Sequence, residues 1–577
     1  MRLLMWAWCK KNTAILGLLP FLFLPRLFNT KDSFNIYTQR VDNQRSGVNL
    51  VETQLNQSNV KTRFGKLWTL YSDAKIMAQP LYVSHLVSNK CPQGCNTVLF
   101  ASMNNTVYAY IADQAPATSN DTLIWSKSLG PPRAGAHDID EAALDDPSWG
   151  ILSTPAIDLA NNLMYVVAWN SDQMYRIYAL DLRSGETVKG PVVIEGSVGE
   201  SSFIQHAKNW KQLRKQRAGL LLDHGSVYVG FGGDNEGGIA GWLFVYDAAT
   251  LQLRTLWSPE PGGKSGGIWM SGTGPVADEG VSVFLQTGNG DYDPKKNQYG
   301  DSLVKLKFDE NKLDVVDAFT PCNQSYLNHQ DLDMGSAAPL LLPGNLLLSG
   351  GKYGNLYLMD RDHLGAYVSG GWHKEECTNS QSVLQTVTVN RGHIHGSPIY
   401  WSGPQDKQWV YVMAEAKNLT AFPFVGGRLK TGVDEVKMST WKPPRQAPAI
   451  CHKPARNWMP GGILALSSDA NRAGTGIVWA LVPTNGDSNT FRGVKGMLLA
   501  LNAEDVSQEL WRSQGPDGES DIPDSFGLLA RFAPPTVAHG KVFVANAGDH
   551  EELKRYCGTR PTQFPKNYGV VVYGLKN

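Results

Sequence analysis

Along the chain, short runs of β-branched and aromatic residues alternate with polar, Gly-rich turns. One such run recurs as TVLFASM from Thr97, LMYVVAW from Leu163, SVYVGFG from Ser226, VSVFLQTG from Val281, NLLLSGG from Asn345, WVYVMAE from Trp409, GIVWALV from Gly476 and KVFVANA from Lys541. The eight units lie about sixty residues apart, a spacing that suits four-stranded blades carrying inserted loops. A second echo precedes each run and joins a small residue, a proline and an apolar stretch: AQPLYVS from Ala78, STPAIDL from Ser153, GTGPVAD from Gly272, SAAPLLLP from Ser336, GSPIYWS from Gly396 and APPTVAH from Ala533. Units three and seven carry AGLLLDH from Ala218 and GGILALS from Gly461 instead. Following strands such as IYALDLRSG, LFVYDAAT and LYLMDRD end where Asp, Gly or Asn makes a turn. Two echoes in fixed order, repeated eight times, predict an all-β chain folded as an eight-bladed β-propeller of four-stranded antiparallel blades. Its channel would be lined by the innermost strands and their loops. The segment from Phe34 is expected to give the last blade a strand and close the ring.

Composition agrees. Gly 58, Pro 32 and Trp 17 in 577 residues suit many short strands and tight turns. Lys+Arg 53 against Asp+Glu 53 leaves no net charge, so nothing supports a counterion-releasing grip on nucleic acid. At the N-terminus, Lys10 and Lys11 precede an apolar core from Ala14 to Leu24 that is broken by Pro20 and short for a bilayer span. Residues 1–30 read as a signal peptide or, because Arg26 follows in place of a small-residue cleavage site, as an N-terminal membrane anchor. Either reading exports the propeller domain, residues 34–577, to a periplasmic, secreted or membrane-anchored location. Outside the targeting segment stand Cys91, Cys95, Cys322, Cys377, Cys451 and Cys557, an even set suited to an oxidising compartment. CPQGC can close a small Cys91–Cys95 loop. Sequons at Asn56, Asn104, Asn120, Asn323 and Asn418 would make a glycoprotein only in a eukaryotic export route.

Candidate chemistry gathers between units three and five. GGDNEGGIAGW puts Glu236 in a glycine loop after the second strand of unit three, where a backbone without Cβ atoms can approach a ligand. Taken alone, this is an exposed acidic turn. GGIWMSGTG then sets Trp269 before unit four, and LQTGNGDYD sets Asn289 after its second strand. HQDLDMGSAAP places Asp331 and Asp333 at the entrance to unit five, and SGGKYGNLYLMDR places Lys352 after its second strand. Each has a plainer reading: blade packing for Trp269, a turn for Asn289, solvated acids for Asp331 and Asp333, a surface amine for Lys352.

In this order the motifs resemble the pyrroloquinoline quinone (PQQ) dehydrogenases, eight-bladed propellers of the methanol and ethanol dehydrogenase type. IYTQRVDNQRSGVNL from Ile36 looks like that family's opening strand. The resemblance implies Glu236 and Asn289 as Ca²⁺ ligands, whose hard oxygen donors suit that ion. It implies Trp269 as the indole on which the quinone stacks, Lys352 as the group that hydrogen-bonds its reactive carbonyl, and Asp331 as a general base and further ligand. Asp333 corresponds to the carboxylate that in some members adds a lanthanide ligand. The implied reaction oxidises an alcohol, polyol or other small hydroxyl substrate. The chain departs from the family at several points: no two cysteines adjoin, acidic residues and Trp149 replace a basic stretch, and Leu464 and Ala465 replace an Asn-Trp pair. No C-x-x-C-H motif occurs, so electrons would pass to an external acceptor. In RGHIHGSP, His393 and His395 could join a metal site, but no third ligand is evident and they read as polar channel lining. The alternative to an enzyme is a cofactor-free PQQ-like propeller acting as a binding or assembly scaffold.

Overall fold

The computed structural model describes residues 33–576 apart from 119–120, 135–147, 200, 204–213, 234–239, 263–264, 310–311, 366, 370–378, 380, 444–457, 489–493, 515–522 and 550–566. Each repeat of the apolar echo forms a pair of antiparallel strands, and eight sheets, five of four strands and three extended to five by a short extra strand, follow in chain order as a β-propeller. In blade one the order from the axis outward is Leu81–Leu86, Cys95–Ala101, Thr106–Ile111 and Leu123–Ser128. Blade four repeats it with Val276–Ala277, Ser282–Gln286, Leu303–Asp309 and Lys312–Phe319. The second strands are apolar on both faces because every blade packs between two others: all seven residues of Leu163–Trp169 are buried. The hydrophobic clusters accordingly straddle blades. Phe64, Val571 and Tyr573 of blade eight pack with Trp479 of blade seven.

The last blade is completed by the N-terminal part of the chain. Phe64–Tyr71 pairs antiparallel with Gly569–Leu575, from Phe64 opposite Leu575 to Tyr71 opposite Gly569. The closing strand thus starts well beyond Phe34. Nor is the stretch from Ile36 to Leu50 a continuous strand: it forms isolated bridges and the short strand Val48–Asn49, and Arg40, Val41 and Arg45 have φ of 59°, 81° and 56°. The irregularity lets both arginines turn into the ring. Arg40 donates from Nη1 and Nη2 to the carbonyls of Ser397 and Pro398 at 3.1 and 2.6 Å. Arg45 donates to the Pro275 and Leu220 carbonyls, both at 3.0 Å, to the Gln39 carbonyl at 2.9 Å and to Thr38 Oγ1 at 2.6 Å. Backbone links run from Tyr82 to Ile36, from Ile157 to Tyr37, from Ala277 to Asn43 and from Leu466 to Gly47, and Asn49 Nδ2 donates to the Val537 carbonyl. Seven of the eight blades therefore touch this one segment.

Cys91 and Cys95 form a disulfide across the hairpin between the first two strands of blade one, and Cys322 is also disulfide-bonded. Cys377, Cys451, Cys557 and Asn120 lie outside the described residues. Among the remaining sequons, Asn56 caps the helix Gln57–Arg63 and Asn323 is 3% exposed, so neither side chain stands free in solvent. No helix among the described residues is long and apolar enough to cross a membrane.

Burial depresses both guanidinium groups, Arg40 to about 10 and Arg45 to about 9, yet leaves them charged at neutral pH. Their contribution lies in the carbonyls they satisfy. Arg45→Met should therefore lower stability by about 3 kcal/mol, since several buried acceptors lose their donor together. Urea unfolding measures this, and a loss below about 0.5 kcal/mol would show that the segment does not tie the blades.

Candidate functional site

Two loop positions recur in every blade and face the channel: the approach to the innermost strand, and the link from the second strand to the third. Blades four to six fill them with polar and aromatic groups. Trp269, Asp331, Asp333, His393 and His395 lie on the approaches, and Asn289, Lys352 and Glu415 follow the second strands. Glycines set the spacing where these loops cross. A Cβ on Gly351 would lie 2.4 Å from the Asp333 carbonyl, and the close approach lets Lys352 N–H donate to that carbonyl at 2.9 Å.

Lys352 is 8% exposed, and its Nζ lies 3.0 Å from Asp331 Oδ1 and 2.9 Å from Asp333 Oδ2. Burial alone would lower the ammonium pKa, but the charges of Asp333 and Asp331 outweigh it and raise it. Asn289 joins the same group: its backbone N–H donates to Asp333 Oδ1 at 3.1 Å and its Nδ2 donates to Asp331 Oδ1 at 2.8 Å. Its amide oxygen is buried with no hydrogen-bond partner among the described residues. Asp331, in a left-handed backbone conformation with φ 56°, keeps 62% of its side chain exposed. Partial desolvation at the channel wall and then the Asp333 charge hold its pKa above the ordinary range, against the pull of Lys352 and Asn289.

Trp269 borders this cluster, with Lys352 Nζ 5.7 Å from its ring centroid. Unlike Trp149, Trp242, Trp401 and Trp479, which are fully buried in blade packing, it is half-buried, and it contacts His395 and Phe532 at centroid distances of 5.8 and 6.1 Å. The structure thus brings Trp269, Asn289, Asp331, Asp333 and Lys352 together. Glu236 lies outside the described residues.

Asp301, Arg217, Arg531 and Glu415 lie nearby as well, though no sequence motif marks them. Asp301 is fully buried, accepts the Met334 N–H at 3.1 Å, and has its second oxygen without a hydrogen-bond partner among the described residues. Arg217 donates to the carbonyls of Met77 and Leu152 at 3.0 and 2.9 Å, and its guanidinium stacks on Phe532 at 5.3 Å. Arg531 stacks on the same ring at 5.1 Å and donates to the Ser488 carbonyl at 3.3 Å. His393 and His395 meet Glu415, with His393 Nδ1 3.4 Å from Oε2 and His395 Nε2 2.9 Å from Oε1. Burial lowers His395 to about 3 and raises Glu415 to about 7. The sequence reading found no third partner for the histidines because Glu415 ends WVYVMAE in a different part of the repeat. Its signal was phase, since it follows the second strand of its blade just as Asn289 and Lys352 do.

No family model matches the chain, and no curated protein matches it in sequence. Solved structures do. A quinohemoprotein alcohol dehydrogenase from Pseudomonas putida HK5 superposes with TM-score 0.56 at 16% identity over 94% of this chain and 80% of that one. Another from Comamonas testosteroni gives 0.55 at 17% identity with the same coverage. A europium-containing methanol dehydrogenase gives 0.54 at 15% identity, covering 94% of this chain and 98% of that one. The chain therefore has the PQQ-like eight-bladed propeller fold.

Asp301 offers a test of the electrostatics. Burial and then the Asp333 charge hold its pKa well above the ordinary carboxylate range. A raised folded pKa favours the folded state below the unfolded value of about 4, and that contribution is lost as pH rises through the folded value. Asp301→Asn, which keeps the acceptor for Met334 N–H, should raise the thermal midpoint of metal-free protein at about pH 8 and change it little at about pH 4. A difference that does not grow with pH would place the Asp301 charge elsewhere.

Proposed function

We propose that the protein is an exported quinoprotein dehydrogenase that oxidises an alcohol, polyol or related hydroxyl substrate with PQQ and Ca²⁺ or a lanthanide. The observation that carries this reading is the meeting of Asn289, Asp331, Asp333 and Lys352 beside the half-buried Trp269. The donor set fits a hard cation: the Asn289 amide oxygen has no partner among the described residues, and Asp331 and Asp333 add carboxylate oxygens. Glu236 is assigned as a further ligand. The indole of Trp269 offers a flat face for the quinone, and Lys352 offers an ammonium held by two carboxylates.

When bound, the quinone supplies the two-electron acceptor that side chains lack. The remaining work falls to the chain. Asp331 reaches the exposed rim, and a carboxylate with a raised pKa is a stronger base towards a hydroxyl proton. Lys352 and Asn289 both bond Asp331 Oδ1, which fixes the carboxylate that takes the proton. Asp333, buried and held by Lys352 and the Asn289 N–H, keeps Lys352 charged and in place. The absence of a C-x-x-C-H motif leaves the electrons to a separate acceptor.

Purified protein supplied with PQQ and Ca²⁺ or a lanthanide should reduce an artificial dye in the presence of alcohols. Asp331→Asn should retain quinone binding while turnover falls by about 10² to 10⁴, the usual contribution of a positioned base. Undiminished turnover would remove Asp331 from the proton transfer. Failure of the unmutated protein to bind the quinone with any of these ions would favour a cofactor-free scaffold.

A further inference from the structure

The approach to blade six carries a second constellation that the dehydrogenase reading does not use. His395 is 1% exposed and Glu415 5%, while His393 keeps 33% of its side chain open. One ligand atom from each lies within 4.8 Å of the other two. The hydrogen-bond network assigns the His395 tautomer. Ser271 Oγ donates to the Ser336 carbonyl at 2.6 Å, so a lone pair faces His395 Nδ1 at 3.3 Å, and Nδ1 carries the hydrogen. The other nitrogen, Nε2, then presents a lone pair to Glu415 Oε1 at 2.9 Å and has no aligned hydrogen-bond partner. Two acceptors at that distance require a cation between them, either a proton or a metal ion.

Lys352 does not fill the role, since its Nζ lies against Asp331 and Asp333. The arrangement also has the outer support typical of a metal site, in which a ligating histidine donates its other N–H to a fixed acceptor. Ser271 is that acceptor for His395, and Ser336 holds the loop by donating to the Ile394 carbonyl at 2.7 Å.

We propose that His393, His395 and Glu415 bind a borderline divalent transition-metal ion such as Zn²⁺, separate from the oxygen-donor group at Asn289 and Asp331. Two imidazoles and one carboxylate make a three-ligand set that leaves the fourth position of a tetrahedral ion for water or another small ligand. The exposed edge of His393 leaves the group within reach of a small ligand from solvent. Hard oxygen-seeking ions such as Ca²⁺ are disfavoured by the two nitrogens.

The test is Zn²⁺ titration calorimetry on the full-length protein after chelation, without quinone. One equivalent should bind, and His393→Ala, His395→Ala and Glu415→Gln should each weaken binding by at least about tenfold. Ser271→Ala, which removes only the orienting acceptor, should cost about 10- to 100-fold. Co²⁺ at the same site should give the visible absorption of a four-coordinate ion, lost in the ligand variants. Asn289→Ala and Asp331→Asn should leave the Zn²⁺ isotherm unchanged. His393, the most exposed ligand, provides the variant least exposed to folding failure. A folded His393→Ala protein with unaltered Zn²⁺ affinity would overturn the assignment. So would an unmutated protein that binds no Zn²⁺, which would mean that His395 and Glu415 share a proton. Neither failure bears on quinone binding, because the two groups of residues are varied independently.

Discussion

The innermost strand of every blade has a free edge facing the axis, and its unpaired carbonyls and amides must find partners. A ring of eight blades leaves more such edge than the blades can satisfy among themselves. The segment following Phe34 answers this by abandoning regular structure and donating from Arg40 and Arg45 to carbonyls of blades three, four and six. A strand laid across the axis could pair with only one or two of these edges. A guanidinium reaches several carbonyls at once because its donors are fixed in a fork. The cost is two buried positive charges, and the carbonyl dipoles arranged around them offset it.

Further along the axis, the same inner-strand approaches carry the chemistry. Entering blade six, the chain passes His393 and His395 before Ser397 and Pro398, whose carbonyls receive Arg40. Entering blade four, it passes Trp269 before Pro275, which receives Arg45. One loop thus fixes its lower part to the axial segment and presents its upper part to the channel, so the polar cluster rests on anchored backbone. Within the cluster, charge is distributed unevenly. Asp331 and Asp333 flank a single Lys352, and buried Asp301 lies close enough for the Asp333 charge to raise its pKa further.

How much of this could be read from the residues depends on what kind of signal each carries. The blades were legible because the second strands are buried on both faces and so carry a largely apolar run, seen in full at Leu163–Trp169 and Ile477–Pro483. Asn289, Asp331 and Lys352 were legible as motifs, and their contacts follow from the loops in which the motifs sit. Glu415 and Arg531 have no motif around them. They occupy the same phases of the repeat as Lys352 and Trp269, so aligning the units by phase would have raised them. The opening segment misled for a physical reason: IYTQRVDNQRSGVNL reads as a strand by its resemblance, but the carbonyls that require Arg40 and Arg45 belong to blades far along the chain. Local pattern carries no information about them. The same holds for Asp301, whose burial is set by Asp333 and Met334 from the next blade.

The pairing of Phe64–Tyr71 with Gly569–Leu575 also governs the order in which the molecule can be made. Made from its N-terminus, the chain has the outer strand of blade eight long before the three strands it must join. Until Leu575 is in place, the ring is an open arc with one blade incomplete and two blade faces uncovered. A chain cut short even slightly at its C-terminus forfeits more than its missing residues, because closure is all-or-none and the edges it would have joined remain exposed to other chains. The integrity of the far end is in this way recorded in the stability of the whole ring.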